Sequence, residues 1–91
     1  MTDDTDIRRK RLRFRSWHRG TKEIDLVLGN FADRHLYGFS PAQLDRYERI
    51  LDCEDVDLWS WIVGRAAVPP EQDTDVMRLL TQFRPGTARA S

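Results

Sequence analysis

Cysteine is almost absent from this sequence of 91 residues: Cys53 is the only one. No disulfide can close within the chain, and that usage suits a reducing compartment. Histidine is nearly as scarce, with His18 and His35 alone. None of these three soft ligands stands at i, i+4 or C-x-x-C spacing from another, which disfavours a metal site. No run approaches the ~20 consecutive apolar residues that cross a bilayer. The amino-terminal segment MTDDTDIRRKRLRFRSW contains no apolar h-region, and its Asp3, Asp4 and Asp6 are foreign to arginine-rich transit peptides. A cytoplasmic protein without membrane insertion is the expectation. No G-x-G-x-x-G or P-loop pattern occurs, so a nucleotide site of the chain's own lacks support. Alternating β-branched runs bounded by hairpin turns are missing too, and no sheet is expected.

What is present describes a soluble globular chain: 40% hydrophobic, 33% charged, mean hydropathy −0.65. A chain of this size buries only about 60–65% of its unfolded surface, which leaves a thin core and argues against a deep active-site cleft. The formal net charge is zero, yet residues 1–22 hold eight Lys/Arg against three Asp. The remainder holds seven basic residues (15 − 8) against twelve acidic ones (15 − 3). A basic arm thus precedes an acidic body, a dipole able to steer a partner of complementary potential.

Periodicity and punctuation predict an all-α fold, a small five-helix bundle. Residues 1–85 form one helical domain with a basic N-terminal helix, and 86–91 form a flexible tail. Helix one is expected from Asp6 to Trp17, acidic at its start and basic after it, ending at Gly20. Helix two runs from Lys22 to Arg34, with Ile24, Val27, Leu28 and Phe31 on one face. Helix three has the clearest start: Ser40 as N-cap, Pro41 at N1 and Gln43 closing a capping box, with Leu44, Tyr47, Ile50 and Leu51 inward. Asp55 is read as the cap of helix four, whose apolar run through Leu58, Trp59, Trp61 and Ile62 places it centrally. Pro69-Pro70 opens helix five, where Val76, Leu79, Leu80 and Phe83 keep helical spacing until Pro85-Gly86.

Several constellations invite chemistry. The arm Arg8-Arg9-Lys10-Arg11-Leu12-Arg13-Phe14-Arg15 is first a solvated helix face, next a phosphate binder and third a protein-docking face. A nucleic-acid or ribosome-associated module is therefore the alternative reading. Against it stand a pI near 6.7 and the acidic body. His18 and Cys53 resemble a base and a nucleophile in type, but nothing in the sequence brings them together, and no enzymatic activity is expected. Trp59 and Trp61 read as core, whereas Trp17 reads equally well as core or as an interface anchor.

The informative cluster is Arg19-Gly20-Thr21-Lys22-Glu23-Ile24-Asp25. Arg19 before Glu23 is the poorer order for an i, i+4 pair, and Gly20 interrupts the helix that would make them neighbours. Arg offers a rigid fork of donors, Glu a pair of acceptors, and Gly a close approach for another backbone. Together they suit an outward-facing recognition corner.

At these residues the chain resembles the succinate dehydrogenase assembly factor family, SdhE/YgfY, which shares R-G-x-x-E followed by Asp: here Arg19, Gly20, Glu23 and Asp25. The resemblance extends over roughly residues 8–84. It includes the R-K-R-L-R arm, the Leu51-Asp52 turn, D-x-D-L-W-x-W-I at Asp55 to Ile62, and Val76-Met77-Arg78-Leu79-Leu80. It implies a YgfY-like bundle that binds the flavoprotein subunit of succinate dehydrogenase, and of the related fumarate reductase in many bacteria. The implied role is to promote covalent attachment of FAD to a histidine of that partner, with no cofactor bound stably by this chain. By position, Arg19, Gly20 and Glu23 would contact the flavoprotein and Asp25 would orient them. Arg11 and Arg15 would add steering, and Trp17 and His18 complete the candidate partner-binding set. The sequence departs from the family at His18, often Arg, and at Thr21, often Met.

Overall fold

The computed structural model describes residues 4–83 and places five α-helices there, with no strand among the described residues. They are α1 (Asp4–Trp17), α2 (Lys22–His35), α3 (Pro41–Leu51), α4 (Asp55–Ile62) and α5 (Asp75–Gln82), with 3-10 turns at Leu36–Gly38 and Pro70–Gln72. α1 lies along α2 and against α3, and α5 packs on α3 and α4.

Local signals account for much of this. The Ser40–Gln43 capping box forms, with Ser40 Oγ accepting from the Gln43 amide and the Gln43 side chain accepting from the Ser40 amide. The four expected inner residues of α3 are buried, as are the four of α2. The aromatic centre of the core joins helices distant in sequence: Phe31 lies 5.5 Å from both Tyr47 and Phe83 and 4.6 Å from His35 between ring centroids.

Three expectations need correction. The residue before α4 is Glu54, which makes no side-chain cap; Asp55 is the first helical residue. α4 is also less central than its composition implied. Only Leu58 and Ile62 are buried, Trp59 and Trp61 pack half-buried against the core, and Val56 is 77% exposed. Eight residues cannot bury every side when only α5 packs extensively on them. Finally, Pro70 opens a 3-10 turn, and α5 begins at Asp75 with Thr74 as a true cap, its hydroxyl accepting from the Met77 amide. The buried face of α5 accordingly carries Val76, Met77 and Leu80, while Leu79 turns outward. The expected Pro85-Gly86 stop and the 86–91 tail lie outside the described residues.

α1 is attached in an unusual way. It buries Leu12 and a polar residue, Ser16, and little else. Ser16 Oγ donates to the Leu12 carbonyl at 2.8 Å and lies 2.6 Å from the Tyr47 hydroxyl, which also reaches the Leu28 carbonyl at 3.4 Å. Burial pushes the Tyr47 phenol far above its ordinary range.

Candidate functional site

The α1–α2 corner is built by backbone geometry and two internal braces. Gly20 has φ +123°, a region L side chains rarely adopt, and a Cβ there would meet no atom within 4 Å. Conformation, not crowding, demands the glycine. Asp25, one turn into α2, folds back over the corner: its Oδ1 accepts from the Arg19 amide at 2.6 Å and the Gly20 amide at 3.2 Å.

Arg19 itself points inward. Nε donates to Asp55 Oδ1 at 2.9 Å, Nη2 to the Cys53 carbonyl at 2.7 Å, and Nη1 to the Leu51 carbonyl. Its side chain is only 11% exposed. The expectation of a donor fork offered to a visitor is thereby reversed: the fork ties the corner to the α3–α4 loop and the first turn of α4. The carbonyls left open at the end of α3 need donors, and a planar guanidinium meets several at once.

The other candidate residues divide clearly. Gly20 and Glu23 are exposed, and Asp25 is half-buried as a brace. Trp17 is half-buried, with its indole against Gly29 so closely that a Cβ there would sit 2.2 Å from the ring. Its Nε1 donates to Asp33 at 3.4 Å. His18 is exposed and stacks on Phe14 with ring centroids 4.1 Å apart. Arg15 donates to Asp52 at 2.8 Å, whereas Arg11 is exposed and has no ion-pair partner among the described residues.

The basic arm is largely neutralised by the body it precedes. Arg8 bridges Asp45 and Glu48 of α3, Arg13 pairs with Asp33 of α2, and Arg9 donates to the carbonyls of Leu36 and Phe39. The separated charges seen along the sequence therefore meet in space, which shrinks the steering dipole and weakens the phosphate-binding alternative.

The fold also places His18 and Cys53 around one groove of about 490 Å³, a meeting of residues 35 positions apart that no local pattern foretells. The pair does not form a nucleophile and base. Burial pushes the Cys53 thiol above its ordinary range, its Sγ faces the Arg49 carbonyl at 3.5 Å, and His18 stacks on Phe14. No three His, Cys, Asp or Glu side chains gather as a metal site among the described residues, nor is any described helix long and apolar enough to cross a membrane.

Sequence reasoning missed three surface residues at this corner: Phe14, Val56 and Asp55. Phe14 and Val56 are 63% and 77% exposed, and Asp55 holds Arg19. For Phe14 and Val56 the available signal was an apolar residue on the charged side of its helix, out of phase with the core face; for Asp55 there was none.

Comparison with known proteins shows the family. A family described as flavinator of succinate dehydrogenase matches residues 10–84. The chain is 35% identical over 80 residues to the FAD assembly factor SdhE of Acetobacter pasteurianus, covering 88% of this chain and 73% of that protein. It is 37% identical over 84 residues to the mitochondrial succinate dehydrogenase assembly factor 2 of Debaryomyces hansenii, covering 88% and 59%. With the Dictyostelium discoideum protein of the same description it shares 39% over 72 residues, covering 79% and 51%. The chain thus spans little more than half the length of the two mitochondrial relatives.

Proposed function

Because this chain belongs to the succinate dehydrogenase flavinator family, we propose that it is an FAD assembly factor. In this reading it binds the flavoprotein subunit of succinate dehydrogenase and promotes covalent attachment of FAD to a histidine of that subunit. The related flavoprotein of fumarate reductase is a second client. The protein works in the cytoplasm, keeps no flavin of its own and is no enzyme, since the bond-forming groups belong to the partner.

One observation carries the reading. Gly20 and Glu23 are exposed on a corner whose shape is set from inside by Arg19 and Asp25. A corner already in its binding shape loses little conformational freedom on docking. Such a rigid surface can favour one arrangement of a two-domain flavoprotein over others, and differential affinity shifts the population toward it. Holding flavin and histidine in attack geometry then lowers the barrier without any acid or base from this chain.

Co-expression with a flavoprotein subunit, read as covalent flavin fluorescence on a denaturing gel, tests this. The wild-type chain is expected to raise the fluorescent band and Gly20→Arg to abolish the gain. Gly20→Ala, which carries the backbone strain without the bulk, is expected to fall between them. An unchanged band with folded Gly20→Arg would overturn the assigned corner.

A further inference from the structure

Two shallow grooves flank the Arg19–Asp55 pair, with Asp55 and Val56 as the ridge between them. The groove on the α2 side holds about 340 Å³. Ile24, Val56 and Trp59 give it apolar walls, and Glu23 and Asp55 line it with carboxylates. Val56, at the second position of α4, is 77% exposed and packs no core.

Only one of these two carboxylates is matched internally. The Glu23 side chain has no hydrogen-bond or ion-pair partner among the described residues. Asp55 meets Arg19 through Oδ1 alone, leaving Oδ2 without a donor there. The partial positive charge at the start of α4 opposes a visiting cation, as does Arg19 behind Asp55, whereas Glu54 and Asp57 at the same end favour one.

An apolar channel that ends on the unmatched Glu23 carboxylate, beside the free Oδ2 of Asp55, has the shape and charge of a seat for a lysine or arginine side chain. The aliphatic stem would lie on Val56 and Trp59 while the cation reaches Glu23. An indole face adds attraction for a cation near it. We propose that this groove receives one basic side chain projecting from the flavoprotein subunit. The proposal rests on the flavoprotein-binding reading above and extends the docking surface from the corner onto α4. The groove adjoins that corner directly, because Thr21 and Glu23 belong to both.

The test measures the dissociation constant of the purified chain with the flavoprotein subunit at low and moderate NaCl. Val56→Ser is expected to weaken binding about tenfold with an unchanged salt dependence, as for loss of an apolar contact. Glu23→Gln is expected to weaken it about tenfold and to flatten the salt dependence, as for loss of a charge pair. Both positions are exposed, so melting temperatures should stay near wild type and separate binding from folding. A photo-crosslinking residue at 56 should capture a flavoprotein peptide bearing an exposed Lys or Arg, and reversing that residue's charge should be rescued by Glu23→Lys.

If the wild-type chain does not bind the flavoprotein, the functional reading and the groove assignment both fall. If it binds while either variant keeps wild-type affinity, the groove assignment alone falls. Capture of a second copy of this chain at position 56 overturns the assignment as well.

Discussion

Arg19 acts from the inside of the site it belongs to, and its worth lies in the fork. Three of its nitrogens reach three acceptors on the α3–α4 segment. Lysine would keep the charge but reach at most part of that set. Arg19→Lys is therefore expected to destabilise the fold by about 1–3 kcal/mol, the loss that follows when partners of a largely buried charged donor go unmet. Amide exchange at 52–55 should quicken with it. A melting temperature equal to wild type would show that the ties contribute nothing. Gly29 presents a second case in which the fold outweighs propensity. Alanine there would gain about 1 kcal/mol of helix propensity. Its Cβ would, however, fall 2.2–2.4 Å from three ring atoms of Trp17, and the whole indole would have to move. Overpacking of that kind costs about 1–3 kcal/mol. Gly29→Ala should thus melt below wild type, and a higher melting point would contradict the close seat of Trp17.

At the scale of elements, the helices differ in how their ends are satisfied. α3 has a complete capping box and α5 a Thr74 cap, whereas Glu54 leaves the α4 amides without a side-chain acceptor. Thr74→Ala should lower stability by about 1 kcal/mol, equivalent to roughly 4–8 °C in a domain of this size. Glu54→Ser should raise it by up to about 1 kcal/mol by supplying the missing acceptor. Paired thermal melts of the two variants, shifting in opposite directions, would verify the assignment of caps. α1 poses a different problem. It carries few buried apolar side chains and depends on Arg8, Arg9, Arg13 and Arg15 reaching α2, α3 and the turn beyond α2. Exposed pairs contribute little singly, on the order of 0–1 kcal/mol each. Their number along one helix, together with the buried Ser16–Tyr47 contact, is what fixes α1 in place.

Across the whole molecule, acid should weaken the fold through its aromatic centre. His35 packs against Phe31, Phe39 and Phe83, and burial, aided by the neighbouring Arg34, holds its imidazole below the ordinary range. The unfolded chain therefore binds the proton more readily. The stability contributed by neutral His35 is fully present above about pH 6.5 and is lost as pH falls from there toward the depressed folded value. Asp73 and Asp75, held below the usual carboxylate range by Arg78 and by Gln43 respectively, lose their contributions only in stronger acid. Melting should accordingly fall between about pH 7.5 and about pH 5.5 in wild type and fall less in His35→Gln. An equal fall in both would assign the effect to other groups.

Helical class and the spans and inner faces of α2 and α3 were determined by the sequence alone, since capping and 3.6-residue periodicity act within one or two turns. The R-G-x-x-E pattern likewise marked the corner, and the family match from residue 10 to residue 84 agrees with it. Only the tertiary structure decided that Arg19 turns inward, because its acceptors lie 32 to 36 positions away along the chain. It also decided that Trp17 rests on Gly29, that the basic arm closes on the acidic body, and that α4 leaves Val56 uncovered beside Glu23. Each of those outcomes depends on which surfaces meet after the helices have formed. Local residue pattern does not encode that meeting, and it is there that the charges and the open groove of the candidate site were settled.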